Sequence, residues 1–218
     1  MTGGRGRAME RPAEDPDRPR LFFATPLPDD VREAIRPVRD AVQLAVGDGH
    51  ARIRWVRIES LHLTLRFLGP TPLDQAAALA RVADGVAAAA APFEVLIAGS
   101  GAFPAYGRPR TLWLGIERGG DGLAGLAAGL AAGLARGLSA DGGGDGARDD
   151  RDDRPFSAHL TLARTDGLRL ASEAAQALAE AAAGNAWSFV ADRMVLFRSH
   201  LGSGPAWYEP IHESRLAG

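Results

Sequence analysis

His62, Thr64, His159 and Thr161 are the residues of this 218-residue chain whose types and spacing could do chemistry. They sit in a repeated tetrapeptide, His62-Leu63-Thr64-Leu65 and His159-Leu160-Thr161-Leu162, in a chain with only five histidines. Along a strand, successive side chains alternate faces. Each His and the Thr two residues on therefore point one way, about 7 Å apart, and the leucines point the other way. The leucines would anchor the strand in a core, and the polar pair would face a cleft. Two imidazoles on one substrate suit concerted acid–base work, because imidazole titrates near neutrality and one can accept a proton while the other donates. The threonine hydroxyls can donate to anionic oxygens such as those of a phosphodiester. Neither motif carries a carboxylate or cysteine that would complete a metal site, so the set points to metal-free phosphoryl chemistry. A single such strand could equally be half-buried structure with a surface histidine, and it is the duplication that favours a paired site. The spacing does not say which histidine is acid and which is base. His50, His200 and His212 have no Thr at +2 and are assigned no role.

The elements that must hold these motifs follow from hydrophobic spacing. Leu21-Phe22-Phe23-Ala24 reads as a strand closed by Pro26 and Pro28, and Val31, Ile35, Val38, Val42 and Val46 follow at helical spacing behind Asp29-Asp30. Residues 52–56 and 61–68 read as strands, and 71–90 as an Ala-rich helix. Residues 93–98 and 111–116 read as two more strands, and 123–138 as a helix interrupted by glycines. Strand 159–164, helix 171–183 and strands 187–198 and 207–212 complete the chain. The pattern of helix and strand pairs occurs twice, which predicts two similar lobes of an α+β protein and no doubly wound sheet. No Gly-rich phosphate loop follows any strand.

Composition sets the outer bounds. The length suits one substantial domain, with 46% hydrophobic and 24% charged residues. Residues 1–19 have almost nothing to bury and read as a disordered tail ahead of a single domain over 20–218. Residues 139–155 carry six Asp, three Arg and four Gly and read as a flexible loop; the acids lack the spacing of a calcium loop. No cysteine is present, which removes disulfides, Cys-based zinc sites and thiol nucleophiles and fits a reducing compartment. With no apolar leader segment and no span long enough for a bilayer, the expectation is a cytoplasmic protein without a membrane partner. All 25 basic residues are Arg, against 27 acids, so total charge advertises no nucleic-acid partner. The local balance differs: residues 50–68 hold Arg52, Arg54, Arg57 and Arg66 against Glu59, and Arg108, Arg110, Arg164 and Arg198 fall in other segments predicted near the cleft.

The paired H-x-T-x motifs resemble those of the 2H phosphoesterase superfamily. Flanking strings narrow the resemblance to its RNA 2′,3′-cyclic phosphodiesterases, also called 2′-5′ RNA ligases. These strings are Arg20-Leu21-Phe22-Phe23-Ala24 with Pro26 and Leu27-Pro28, Trp55-Val56, and His62 through Gly69. The others are Gly101-Ala102-Phe103-Pro104 with Arg108-Pro109-Arg110, Phe156 ahead of His159, and Val195 through Ser199 with Tyr208-Glu209-Pro210. The tail and the Asp/Gly/Arg loop depart from the family pattern.

The resemblance implies a bilobed LigT-like fold, with two antiparallel-rich sheets facing a central cleft and helices outside. It implies hydrolysis of 2′,3′-cyclic phosphate RNA ends, tRNA fragments among them, to 2′-phosphomonoesters. His62 would protonate the departing O3′, His159 would activate water, and Thr64 and Thr161 would bind the phosphate. Phe67 and Arg164, each five residues after its histidine, match positions that sandwich the terminal nucleobase. Strand parity turns a +5 position away from the histidine face, so both are expected where the strands end and bend toward the cleft; Phe67 could also be plain core. No cofactor and no metal is implied, and nothing demands more than a monomer. Ligation on the same site and a non-catalytic RNA-end-binding module are the alternatives. Intact histidines argue against the module, and the ubiquity of water favours hydrolysis.

Overall fold

Runs rich in Leu, Val and Phe pair as strands, and the amphipathic, Ala-rich stretches between them form helices that cover one face of the resulting sheet. The computed structural model describes residues 15, 17–105, 107–140, 155–165, 167, 169–200 and 206–218, with backbone only for 137–140 and 169. In chain order the elements are β1 (Arg20–Pro26), α1 (Asp29–Ala45), β2 (Arg54–Trp55), β3 (His62–Pro70) and α2 (Ala76–Ala88). Then come β4 (Phe93–Phe103), β5 (Thr111–Arg118), α3 (Gly120–Ala140), β6 (His159–Arg164), α4 (Arg169–Ala182), β7 (Ala186–Ala191), β8 (Arg193–His200) and β9 (Trp207–Arg215).

The strands form one sheet in the order β7-β4-β5-β6-β3-β1-β8-β9, with β2 paired to β6. Every pairing is antiparallel. The two expected lobes are the two halves of this sheet, joined between β6 and β3 through the single pair Leu63 and Leu160. The two halves mirror each other: β3-β1-β8-β9 corresponds to β6-β5-β4-β7, so the repeated tetrapeptides lie on the two central strands.

The helices cross between halves. α1 follows β1 but packs on α4 and β7, whereas α3 follows β5 but packs on α2 and β3. In α1 the buried residues Val31, Ile35, Val38 and Val42 keep the i, i+4, i+7 spacing of one helix face. Asp29 and Asp30 complement the positive N-terminal end of its dipole. α2 and α3 approach closely because Val82 and Val86 of α2 sit over Gly133 and Gly129 of α3, where a Cβ would collide. All four α-helices and Leu63, Leu65, Leu160 and Leu162 contribute to one core cluster. The opposite face of the sheet carries no α-helix among the described residues.

Several boundaries differ from the sequence reading. The run 187–198 is two strands, broken at Asp192; β7 pairs with β4 in one half and β8 with β1 in the other. The break contains no Gly or Pro, and it is tied instead by Leu216, whose backbone N–H donates to the Asp192 carbonyl. The expected tail over 1–19 lies mostly outside the described residues. Its end does not: the Asp17 and Pro19 carbonyls accept from Leu73 and Thr71, extending the contact between β1 and β3. Of the expected loop over 139–155, residues 139 and 140 continue α3 and residues 141–154 lie outside the described residues.

Candidate active site

Each tetrapeptide alternates as its chemistry requires. Leu63, Leu65, Leu160 and Leu162 are buried in the core, while His62, Thr64, His159 and Thr161 are half-buried on the helix-free face. Continuing the antiparallel register by one residue on each side of the Leu63–Leu160 pair sets His62 across from Thr161 and Thr64 across from His159. All four polar residues are thereby brought to one point between the halves.

The rings are held in the same way. His62 Nδ1–H donates to the Ser60 carbonyl at 2.7 Å, and His159 Nδ1–H donates to the Ser157 carbonyl at 2.8 Å. A carbonyl can only accept, so the proton of the neutral ring is fixed on Nδ1 and the lone pair on Nε2. Each Nε2 is thus the nitrogen able to take or give a proton.

Aromatic side chains pack around both rings. Phe22 lies 4.9 Å from His62, and Tyr208 meets His62 edge-on at 5.0 Å and 88°. Phe103 stands edge-on to His159 at 5.2 Å, and Trp113 lies 6.2 Å away. Gly101 lets the Trp113 ring lie flat over the backbone, because a Cβ there would fall 2.3 Å from it. Burial among these rings lowers the His62 pKa to about 4, and the positive charges of Arg164 and His159 act in the same direction. His159 is lowered too, by burial first and then by Arg164. Burial pushes the Tyr208 phenol up, opposed by Arg164. The charge of Arg164 therefore reaches both imidazoles and the phenol.

Phe67 and Arg164 lie on the histidine face for a reason the sequence reading missed. In β3, Thr64 pairs with Ala24 and Arg66 with Phe23, leaving Leu65 as an extra residue. In β6, Thr161 pairs with Trp113 and Ala163 with Leu112, leaving Leu162 extra. Each bulge shifts the alternation by one, so the fifth residue after the histidine returns to the histidine face. Phe67 pairs with Phe22, with ring centroids 5.8 Å apart, and is 49% exposed, so it is not core. Arg164 pairs with Thr111 on one side and Arg54 on the other. The bend expected at the strand ends is instead a bulge inside each strand, at the last leucine of each motif.

The predicted basic segments divide. Register sets Arg54 and Arg164 on the histidine face but places Arg66 with Phe23 and Arg198 with Leu21, on the helix-covered face. Phe22, Phe197, Tyr208, Phe103 and Trp113 pack around the site, and the spacing of the His-x-Thr motifs does not point to them. A strand such as Leu21–Ala24, apolar on both faces, is the signal that could have found Phe22. Two of the remaining histidines are engaged elsewhere: His200 stacks on Trp207 at 3.8 Å and meets Glu209 at 2.8 Å, while His212 meets Asp84 at 2.7 Å. A groove of about 1110 Å³ between α2 and α3 is lined mostly by apolar residues, with Gln75, Arg81 and Arg136 among them, and holds no histidine or carboxylate, so it does not compete as an acid–base centre. No helix among the described residues is long and apolar enough to cross a membrane.

The model of the 2′-5′ RNA ligase superfamily matches residues 27–203 of the chain. An RNA 2′,3′-cyclic phosphodiesterase of Archaeoglobus fulgidus is 33% identical over 146 residues, 66% of this chain and 72% of that protein. The protein of that name from Escherichia coli K12 is 30% identical over 88% of this chain and 93% of its own length. That from Geobacillus stearothermophilus is 30% identical over 92% of this chain, but the match spans only 58% of the relative. Among solved structures, Escherichia coli LigT complexed with 3′-AMP superimposes with a TM-score of 0.66 at 27% identity, covering 92% of this chain and 99% of LigT. A protein of Thermus thermophilus gives 0.70 at 27% identity, covering 91% and 98%. The family model covers most of the chain, two relatives are at least 30% identical over two thirds or more of their own length, and the chain belongs to the 2′-5′ RNA ligase superfamily.

Proposed function

We propose that this protein is an RNA 2′,3′-cyclic phosphodiesterase, hydrolysing cyclic phosphate RNA ends to 2′-phosphomonoesters by acid–base catalysis between His62 and His159. The observation that carries this is the matched pair of imidazoles, each with Nδ1 tied to a carbonyl two residues upstream and Nε2 left for the substrate. Thr64 and Thr161 donate hydroxyl hydrogen bonds to the two non-bridging phosphate oxygens. The terminal base lies between the Phe67 ring and the Arg164 guanidinium, which hold a base by stacking without reading it.

In the reaction, one Nε2 removes a proton from water as its oxygen bonds to phosphorus. The P–O3′ bond breaks, and the other Nε2–H gives its proton to O3′. The products are a 2′-phosphomonoester and a 3′-hydroxyl. The family resemblance assigns the donor to His62 and the base to His159. Burial makes both imidazolium forms unfavourable in the free protein, and a bound phosphate anion offsets this by favouring protonation. An imidazolium that is costly to hold is also a strong acid, which suits donation to a departing alkoxide. RNA fragments with cyclic ends, including those of tRNA, are the substrates, and a monomer acting in the cytoplasm is the working form. The site takes no metal, since its donors are two imidazoles without a carboxylate.

The test is incubation with an RNA ending in 2′,3′-cyclic phosphate, with and without EDTA, and identification of the product. We expect a 2′-phosphate in both cases, and a loss on the order of 10²–10⁴ in kcat for His62→Ala and for His159→Ala. Near-normal turnover in either variant would sink the two-histidine mechanism, and chelator sensitivity would sink the metal-free one. A substrate with sulfur at the 3′ bridging position needs no proton on its leaving group. It should rescue whichever variant lost the acid and leave the other inactive.

A further inference from the structure

The bulge at Leu162 returns Arg164 to the histidine face, and a second arginine stands beside it. β2 is only two residues long, yet it is fixed: Arg54 pairs with Arg164 and Trp55 with Ala163, and Val56 N–H donates to the Leu162 carbonyl at 2.8 Å. Trp55 adds a hydrogen bond from Nε1 to the His50 carbonyl at 3.2 Å and packs against the core. Directly paired residues of antiparallel strands share a face and stand about 5 Å apart. Arg54 therefore projects on the same face as Arg164 and, like it, is exposed. The row Arg54–Arg164–Thr111 lies beyond the row of Thr161 and Trp113, so Arg54 stands beside the guanidinium that stacks on the terminal base in the proposed mode. Just past the end of β6, Gly167 lies beside the Arg108 backbone and the Arg110 Nε.

We propose that Arg54 binds the phosphate on the 5′ side of the terminal nucleotide, making the protein selective for an RNA chain end over a 2′,3′-cyclic mononucleotide. This rests on the phosphodiesterase reading and adds a contact outside the reacting phosphate. A planar guanidinium fork matches two phosphate oxygens, and its long stem lets it reach a phosphate next to the base that Arg164 stacks on. The interaction is made equally in ground and transition states, so it acts on KM and leaves kcat alone.

The experiment compares the wild type with Arg54→Ala on two substrates: adenosine 2′,3′-cyclic phosphate, and the dinucleotide ApA ending in 2′,3′-cyclic phosphate. The expected result is a KM about tenfold higher for the dinucleotide with kcat unchanged, and no change for the mononucleotide. The slope of log kcat/KM against log salt should fall by about 0.7 for the dinucleotide, the value for one phosphate contact on a single strand. Arg54→Lys should restore most of the affinity. A dinucleotide with a neutral methylphosphonate link should lose affinity with the wild type and lose no more with Arg54→Ala. Equal effects on both substrates, or none on either, would overturn the assignment of Arg54 and leave the phosphodiesterase reading standing. Wild-type protein that turned over neither substrate would overturn that reading, and this assignment with it.

Discussion

An imidazole can carry a proton between water and ribose only if the nitrogen facing the substrate can hold it in one state and release it in the other. The carbonyls of Ser60 and Ser157 settle the tautomer, and the surrounding rings and Arg164 settle how willing each imidazole is to be charged. For the proposed two-histidine reaction the free protein must hold one histidine protonated and one neutral, so kcat/KM would depend on two pKa values, both below the ordinary imidazole value of about 6.5. The pH profile should accordingly centre on the acid side of 6.5, with its lower limb near the His62 value of about 4. Arg164→Ala removes a positive charge that disfavours imidazolium at both positions. Both pKa values rise and the profile moves to higher pH, whereas Arg164→Lys keeps the charge and leaves the profile near that of the wild type. Stopped assays from pH 4 to 8.5 on the cyclic mononucleotide read this directly. A profile that fell in amplitude without moving would show that Arg164 binds substrate but does not tune the histidines.

Elements set these residues in place through features with unequal traces in the sequence. The helix faces of α1 and α4 and the strands of both tetrapeptides follow from periodicity, and the duplicated His-x-Thr pattern announced the pair of histidines. The bulges at Leu65 and Leu162 left no trace, because a bulged leucine reads like any other leucine in a strand; only the neighbouring register reveals it. The same limit hid the break at Asp192, where the chain changes partners without a Gly or Pro to mark it. Glycines in α3 show how packing separates residues that look alike in sequence. Gly125 has open space where a Cβ would stand, so Gly125→Ala should stabilise by roughly 0.5–1 kcal/mol through helix propensity. At Gly133 a Cβ would fall 2.6 Å from Val82 Cγ1, and the χ1 of valine is stiff. Gly133→Ala should push α3 off α2 and destabilise by about 1–3 kcal/mol, as overpacking does. Urea unfolding of the two variants compares them, and shifts of the same sign would contradict the close approach of α2 and α3.

Across the whole molecule, the doubled pattern of helices and strands made two lobes legible, but not their joining into one sheet, since Leu63 and Leu160 pair across 97 residues of sequence and each leucine alone demands only burial. That junction places His62 and His159 at the centre of the fold, so a charge there is felt by global stability. His62 is held neutral in the folded protein down to about pH 4, whereas an unfolded histidine takes a proton near 6.5. Between these values the unfolded chain binds a proton that the folded chain does not, so stability falls as pH drops from about 6.5 toward 4 and is level above it. His159, lowered in the same direction, adds to the slope. Asp84, held low by Ser214 Oγ–H and His212, and Glu33, held low by Arg36, lose their contributions only at more acid pH, as carboxylates protonate. The two origins are separable by His62→Gln, which has no charge to acquire. Unfolding free energies of wild type and variant, measured by urea at pH 7.5 and pH 5, should diverge: the wild type loses more stability between the two values, while Asp84→Asn keeps the wild-type loss over the same interval. Parallel losses in wild type and His62→Gln would mean that the His62 ring is solvated in the folded protein, and the low pKa invoked for its proposed role as acid would have to be abandoned.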